Sequence, residues 1–107
     1  MRRKESDFAT PPSKVVAVHL GELVRQARLA RCWTQQALAE RARIGLATLK
    51  RLEGGAVEVS LGIWLAVFDC LGLLPLLATL RDPASAALLD LTKAKRARRG
   101  RGDDLDF

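Results

Sequence analysis

The chain has no tyrosine, three phenylalanines, two tryptophans and a single histidine, His19. One histidine leaves no Ser/His/Asp or Cys/His set for nucleophilic catalysis. There is no glycine-rich phosphate loop and no cluster of His, Cys, Asp and Glu at metal-ligand spacing. The expectation is therefore no enzyme, no catalytic residue, no cofactor and no metal. Cys32 and Cys70 are the two cysteines. They show neither a disulfide framework nor ligand spacing, and their apolar helical settings predict buried free thiols in a reducing cytoplasm. Residues 1–20 lack the apolar run of a signal peptide. The most apolar stretch, Leu71 to Leu80, contains Pro75 and is too short to span a bilayer. Long β-branched runs and internal repeats are also missing.

What is present is helical and basic. Ala, Leu and Arg dominate, which favours helix over strand. With 49% hydrophobic residues in 107, one domain with a compact core is affordable. The 18 Lys and Arg against 12 Asp and Glu give a net charge of +6. That charge is uneven. Lys93, Lys95, Arg96, Arg98, Arg99 and Arg101 form an acid-free segment, and Arg2, Arg3 and Lys4 a second basic spot. A polyanionic partner suits this balance. Charge and helicity together point to nucleic acid rather than a membrane surface.

Residues 1–13 are charged and polar and end in "TPPS", which reads as a flexible or extended N-terminal arm. A first helix is expected over Val16 to Arg31, with Leu20, Leu23, Val24 and Ala27 on one face and Glu22, Arg25, Arg28 and Arg31 on the other. Thr34 caps a second helix to about Ala42. "RIG" is a turn. A third helix runs from Leu46 to Leu52 or Glu53 and is ended by Gly54-Gly55. Ser60 caps a fourth from Leu61 to about Leu71, with Leu61, Trp64, Leu65, Phe68 and Leu71 at helical spacing, and Gly72 ends it. Pro75 opens a short fifth helix to about Leu80. Asp82-Pro83 starts a basic C-terminal helix over 83–99, and 100–107 reads as a disordered tail.

The stretch "TQQALAERARIGLATLKRLE", residues 34–53, carries the functional signal. Two helices, each too short to be stable alone, lie a few residues apart. Leu38, Ala39, Ile44, Leu49 and Leu52 supply one shared apolar stripe. The small Ala39 admits a close crossing, and Ile44 plugs the corner. This is the layout of a helix-turn-helix, whose second helix enters the major groove. Trp33 and Trp64 read as core or dimer-interface residues. Glu53 reads as the structural partner of a nearby arginine.

"WTQQALAERARIGLATLKRLEGG" and "VSLGIWLAVFDCLGLL" together resemble the lambda-repressor/Cro-like, or XRE, family over about residues 19–74. The second piece is similar to the corresponding segment of HipB-like antitoxins. The resemblance implies an all-α, compact five-helix domain at residues 14–82, with the helix-turn-helix at 35–54, here followed by the basic helix or tail. It also implies a homodimer on double-stranded operator DNA that represses its own operon, with a HipA-like kinase toxin as a further partner and a cytoplasmic location. Two positions depart from the family's habit. Arg43 stands where a glycine is common and a positive φ is favoured. Gly45 stands where Ser or Thr usually caps the third helix.

The candidate DNA contacts follow from this layout. Gln35 and Gln36 sit in the first turn of the second helix, where side chain and backbone N–H groups suit a phosphate. Arg43, in the turn, is a phosphate candidate. Thr48, Lys50 and Arg51 are candidates for base or phosphate, Arg51 through a bidentate pair to guanine. Leu46 and Ala47 replace polar readers, and either touch thymine methyls or pack. Arg25 and Arg28 are weaker candidates. The segment 93–101 is open between a solvated helix end, an accessory DNA arm and a partner-binding tail. The apolar run beyond Trp64 exceeds what a five-helix core needs, which places Leu73 to Leu80 at a dimer contact. The alternatives are a stand-alone or phage-type regulator of the same family, or a protein-interaction module on the same fold.

Overall fold

A computed structural model describes residues 8–104. Its helices are α1 (Pro11–Ala30), α2 (Gln35–Ala42), α3 (Leu46–Glu53), α4 (Leu61–Cys70), α5 (Leu74–Ala78) and α6 (Pro83–Asp104), with no strand among the described residues. The all-α, helix-turn-helix class expected from the sequence is the class found. The chain divides into two compact units between Pro75 and Leu76.

In the first unit α1 packs on α3, and α2 on both α3 and α4. Val24, Leu38, Leu49, Leu52 and Val67 have no exposed surface, and Ala39, Val59, Phe68 and Leu71 are nearly as buried. Each large side chain of this kind contributes about 1.5–3 kcal/mol by leaving water. That burial holds the eight-residue α2 and α3, which could not persist alone.

The first four helices stop in the same way. A residue in the left-handed region lets the chain reverse, and its N–H and the next one satisfy the last carbonyls. After α3, Gly55 (φ 78°) is that residue; its N–H donates to the Leu52 carbonyl at 2.9 Å and that of Ala56 to Arg51 at 3.0 Å. Gly72 (φ 72°) does the same after α4. After α1 and α2 the position belongs to Cys32 (φ 57°) and Arg43 (φ 58°). Ile44 donates to Ala39 at 3.0 Å and Trp33 to Arg28 at 3.2 Å, closing those two ends. A β-carbon in this region costs on the order of 1 kcal/mol. Cys32→Gly and Arg43→Gly are therefore each expected to stabilise the fold by about 1 kcal/mol. A rise in the urea midpoint at unchanged m-value checks it.

Several sequence expectations shift. The arm does not extend to residue 13: Pro11 and Pro12 are the opening residues of α1, and the Thr10 hydroxyl accepts from the Ser13 N–H at 3.3 Å. Proline suits the first helical positions because their N–H groups have no intrahelical acceptor. Residues 1–7, including Arg2, Arg3 and Lys4, lie outside the described residues. Arg28 is not on the solvated face but buried, in register with Gly21 and Val24. On α4 the buried residues are Val67 and Phe68, while Leu61 and Leu65 face outward. Asp69 apart, α4 is apolar nearly all round, so periodicity could not choose its inner face. Cys32 is exposed and Cys70 half-buried, both as free thiols, rather than both buried. Burial is the first cause raising the Cys70 thiol pKa, with the Asp69 carboxylate second.

α5 spans Leu74–Ala78, shorter than expected. Nothing in α5 is buried. In the second unit Asp82 caps α6: its carboxylate accepts from the Ala84 N–H at 3.3 Å and the Ser85 hydroxyl at 2.6 Å. Those bonds, the Ser85 bond first, lower the Asp82 pKa. Leu88, Leu89 and Leu91 are exposed. The backbone helix continues past residue 99 to Asp104, so the tail expected at 100–107 begins as helix; residues 105–107 lie outside the described residues.

Candidate nucleic-acid interface

The geometry of α2, the turn and α3 is set by three local choices. Thr34 stops the chain in an extended conformation, and its hydroxyl accepts from the Ala37 N–H at 3.0 Å. Arg43 reverses the chain after eight residues. Gly45 then opens α3 with extended backbone and no side-chain cap. The buried stripe of α3 is Leu49, Leu52 and Glu53. At 100° per residue its opposite face carries Ala47 and Arg51, one turn apart, with Lys50 beside them. All three are exposed, while Leu46 and Thr48 are half-buried.

Glu53 links this helix to the rest. Its carboxylate accepts from Arg28 Nε at 2.8 Å and Nη2 at 3.1 Å, and from Gln35 Nε2 at 3.1 Å. Arg28 Nη1 also donates to the Trp33 carbonyl at 2.8 Å. One buried carboxylate thus joins α1, the segment before α2, the first residue of α2 and the last of α3. No buried side-chain N or O among the described residues lacks a partner. The nearby Trp33 ring carries the Arg41 guanidinium 4.2 Å from its centroid, which fixes both side chains on the outer side of α2.

The ion pairs among the described residues are Arg25–Glu22 at 3.3 Å and Arg28–Glu53 at 2.8 Å. Neither involves Arg43, Lys50 or Arg51. These cations remain on the surface of the turn and α3, and the acid closest in sequence to Lys50 and Arg51, Glu53, is paired with Arg28 inside the protein. Gln35 is half-buried with its amide tied to Glu53, so its remaining amide N–H is the one available to a ligand. Gln36 is exposed, its amide donating to Glu40 at 3.0 Å.

Gln35, Gln36, Arg43, Leu46, Ala47, Thr48, Lys50 and Arg51 therefore all lie on α2, the turn and α3. Arg28 belongs to the internal network and Arg25 pairs with Glu22 on α1. The arginine partner expected for Glu53 is Arg28, a residue expected on the solvated face of α1. The signal was its spacing, seven residues after Gly21 and four after Val24, on the stripe that α1 buries.

Two short packed helices joined by a tight turn, with a cationic outward face on the second, define a helix-turn-helix. A family model described as a helix-turn-helix domain matches residues 19–84 of the 107, and the chain belongs to that family. The match supports an XRE-like regulator and places the chain among DNA-binding proteins, a class built on binding rather than catalysis. No curated protein and no solved structure matches the chain. No helix of the described residues is long and apolar enough to cross a membrane.

Proposed function

We propose that the chain is a dimeric, sequence-specific operator-binding repressor of the bacterial cytoplasm. We also propose that it is the antitoxin of a HipA-like kinase toxin pair and represses the promoter of its own operon. The observation that carries the DNA reading is the α3 face formed by Ala47, Lys50 and Arg51, exposed opposite the buried Leu49 and Leu52. α3 lies in the major groove, with Lys50, Arg51 and Thr48 reaching bases or phosphate and Leu46 and Ala47 at its leading end. Gln35 and Gln36, at the α2 N-terminus, and Arg43 meet the phosphate backbone. The exposed Leu76 and Leu80 support a contact between copies at the end of α5. The kinase pairing rests on the likeness of residues 59–74 to the HipB-like branch.

The test uses the duplex upstream of the chain's own gene as probe. Lys50→Ala/Arg51→Ala should bind it about a hundredfold more weakly, with unchanged circular dichroism. In the wild type, about six phosphate contacts per dimer make a fourfold rise in salt weaken binding roughly a thousandfold. Binding indifferent to both changes sinks the DNA reading in favour of a protein-interaction module. Co-purification with a kinase-like protein encoded beside the gene tests the antitoxin reading. Its absence alongside intact operator binding leaves a stand-alone regulator.

A further inference from the structure

We infer that each half of the bound duplex presents a thymine methyl to Ala47, with a guanine close by for Arg51. This rests on the operator-binding reading above and specifies what α3 reads. The leading end of α3 lacks polar readers. Gly45, Leu46 and Ala47 carry no side-chain donor or acceptor, so hydrogen-bond readout by side chains cannot begin before Thr48. Leu46 is half-buried and Thr48 is half-buried. Ala47 is exposed at the middle of the outward face.

An alanine at that place has one way to distinguish base pairs. Its methyl group makes apolar contact with the thymine C5 methyl, the one apolar group on a major-groove base edge. Its shortness lets the helix backbone come close to the groove floor. Gly45, ahead of it, adds no side chain to hold the helix off; a β-carbon there would meet only the Thr48 hydroxyl, at 3.8 Å. Arg51 lies one turn further along the same face. Four residues advance about 6 Å along the helix axis, close to two base-pair steps, so the two readers address neighbouring positions of one half-site. Arginine in that position pairs in bidentate fashion with guanine O6 and N7.

The experiment selects bound sequences from a random duplex library with the full chain, then replaces each thymine of the selected site, one at a time, by deoxyuridine. That change deletes a methyl and leaves base pairing intact. At the thymine opposite Ala47 it should weaken binding about fourfold per half-site. Ala47→Gly should bind the thymine and uracil duplexes equally, with its fold checked by circular dichroism. Ala47→Asn should move the selected base at that position toward adenine. A selected site indifferent to uracil at every position overturns the inference while operator binding stands. A uracil penalty that persists unchanged in Ala47→Gly overturns it too, because the methyl is then read by another residue. A library that yields no enriched duplex removes the operator reading itself and the inference with it.

Discussion

Glu53→Ala should lower stability by about 3–5 kcal/mol, enough to unfold a large share of a domain this small. The Arg28 and Glu53 side chains retain only 9% and 4% of their surface. Removing the carboxylate leaves a guanidinium out of water with the Trp33 carbonyl as its remaining partner in the network. It also frees the Gln35 amide. Arg28→Ala should cost a similar amount, for the mirror reason. The pair itself is a weaker source of net stability than either single change suggests. Desolvating two charges offsets most of their attraction, so Arg28→Met/Glu53→Leu should come out far milder than the sum of the single changes. Urea unfolding of the wild type, the two alanine variants and the apolar double variant checks this. A double-variant loss equal to the sum of the two single losses would show that the charges do not act as a pair. The double variant also separates stability from function. With the fold kept but Gln35 no longer anchored to α3, operator affinity should fall even where the unfolding midpoint recovers.

The starts of α2 and α4 and the ends of α3 and α4 were legible because each rests on a residue whose local chemistry is sufficient. Thr34 and Ser60 accept from the backbone N–H three residues on, and Gly55 and Gly72 take the positive φ that other residues resist. Arg43 was legible only as a departure from a family habit, since nothing local marks an arginine for that conformation. Arg28 was misplaced because charge is a sound guide to the surface until a buried carboxylate sits opposite, and Glu53 is 25 residues away in sequence. The inner face of α4 was illegible for the opposite reason: with Leu, Ile, Trp, Val and Phe nearly all round, only packing on α2 decides that Val67 goes in and Leu61 stays out. Among the candidate contacts, the sequence placed Ala47, Lys50 and Arg51 together on one helix. Which of them stand clear of the core depends on where α1 and α2 press against α3, information carried by residues outside that helix.

The sharpest conflict between local and tertiary preference lies at Gly21. A glycine in the interior of a twenty-residue helix is unfavourable by about 1 kcal/mol against alanine. Propensity alone therefore predicts that Gly21→Ala stabilises. The packing predicts the reverse. A β-carbon at Gly21 would stand 2.6 Å from the carbonyl oxygens of Leu52 and Glu53 and 2.9 Å from the Gly55 nitrogen. These are backbone atoms at the end of α3 and cannot rotate away. The approach is closed from the other side as well, since a β-carbon at Gly55 would come within 2.5 Å of Val18 Cα. To regain ordinary contact, α1 and the end of α3 must separate by close to 1 Å, which opens the core around Val24 and Leu52. The expected result is a net loss of about 3 kcal/mol despite the gain in helix propensity. Serine should cost as much and no larger residue should fold. Because the displaced element is the end of α3 that carries Glu53, any folded fraction should also bind the operator poorly, with Lys50 and Arg51 intact but carried on a shifted helix. An unfolding midpoint for Gly21→Ala at or above that of the wild type would mean that α1 and α3 do not meet backbone to backbone.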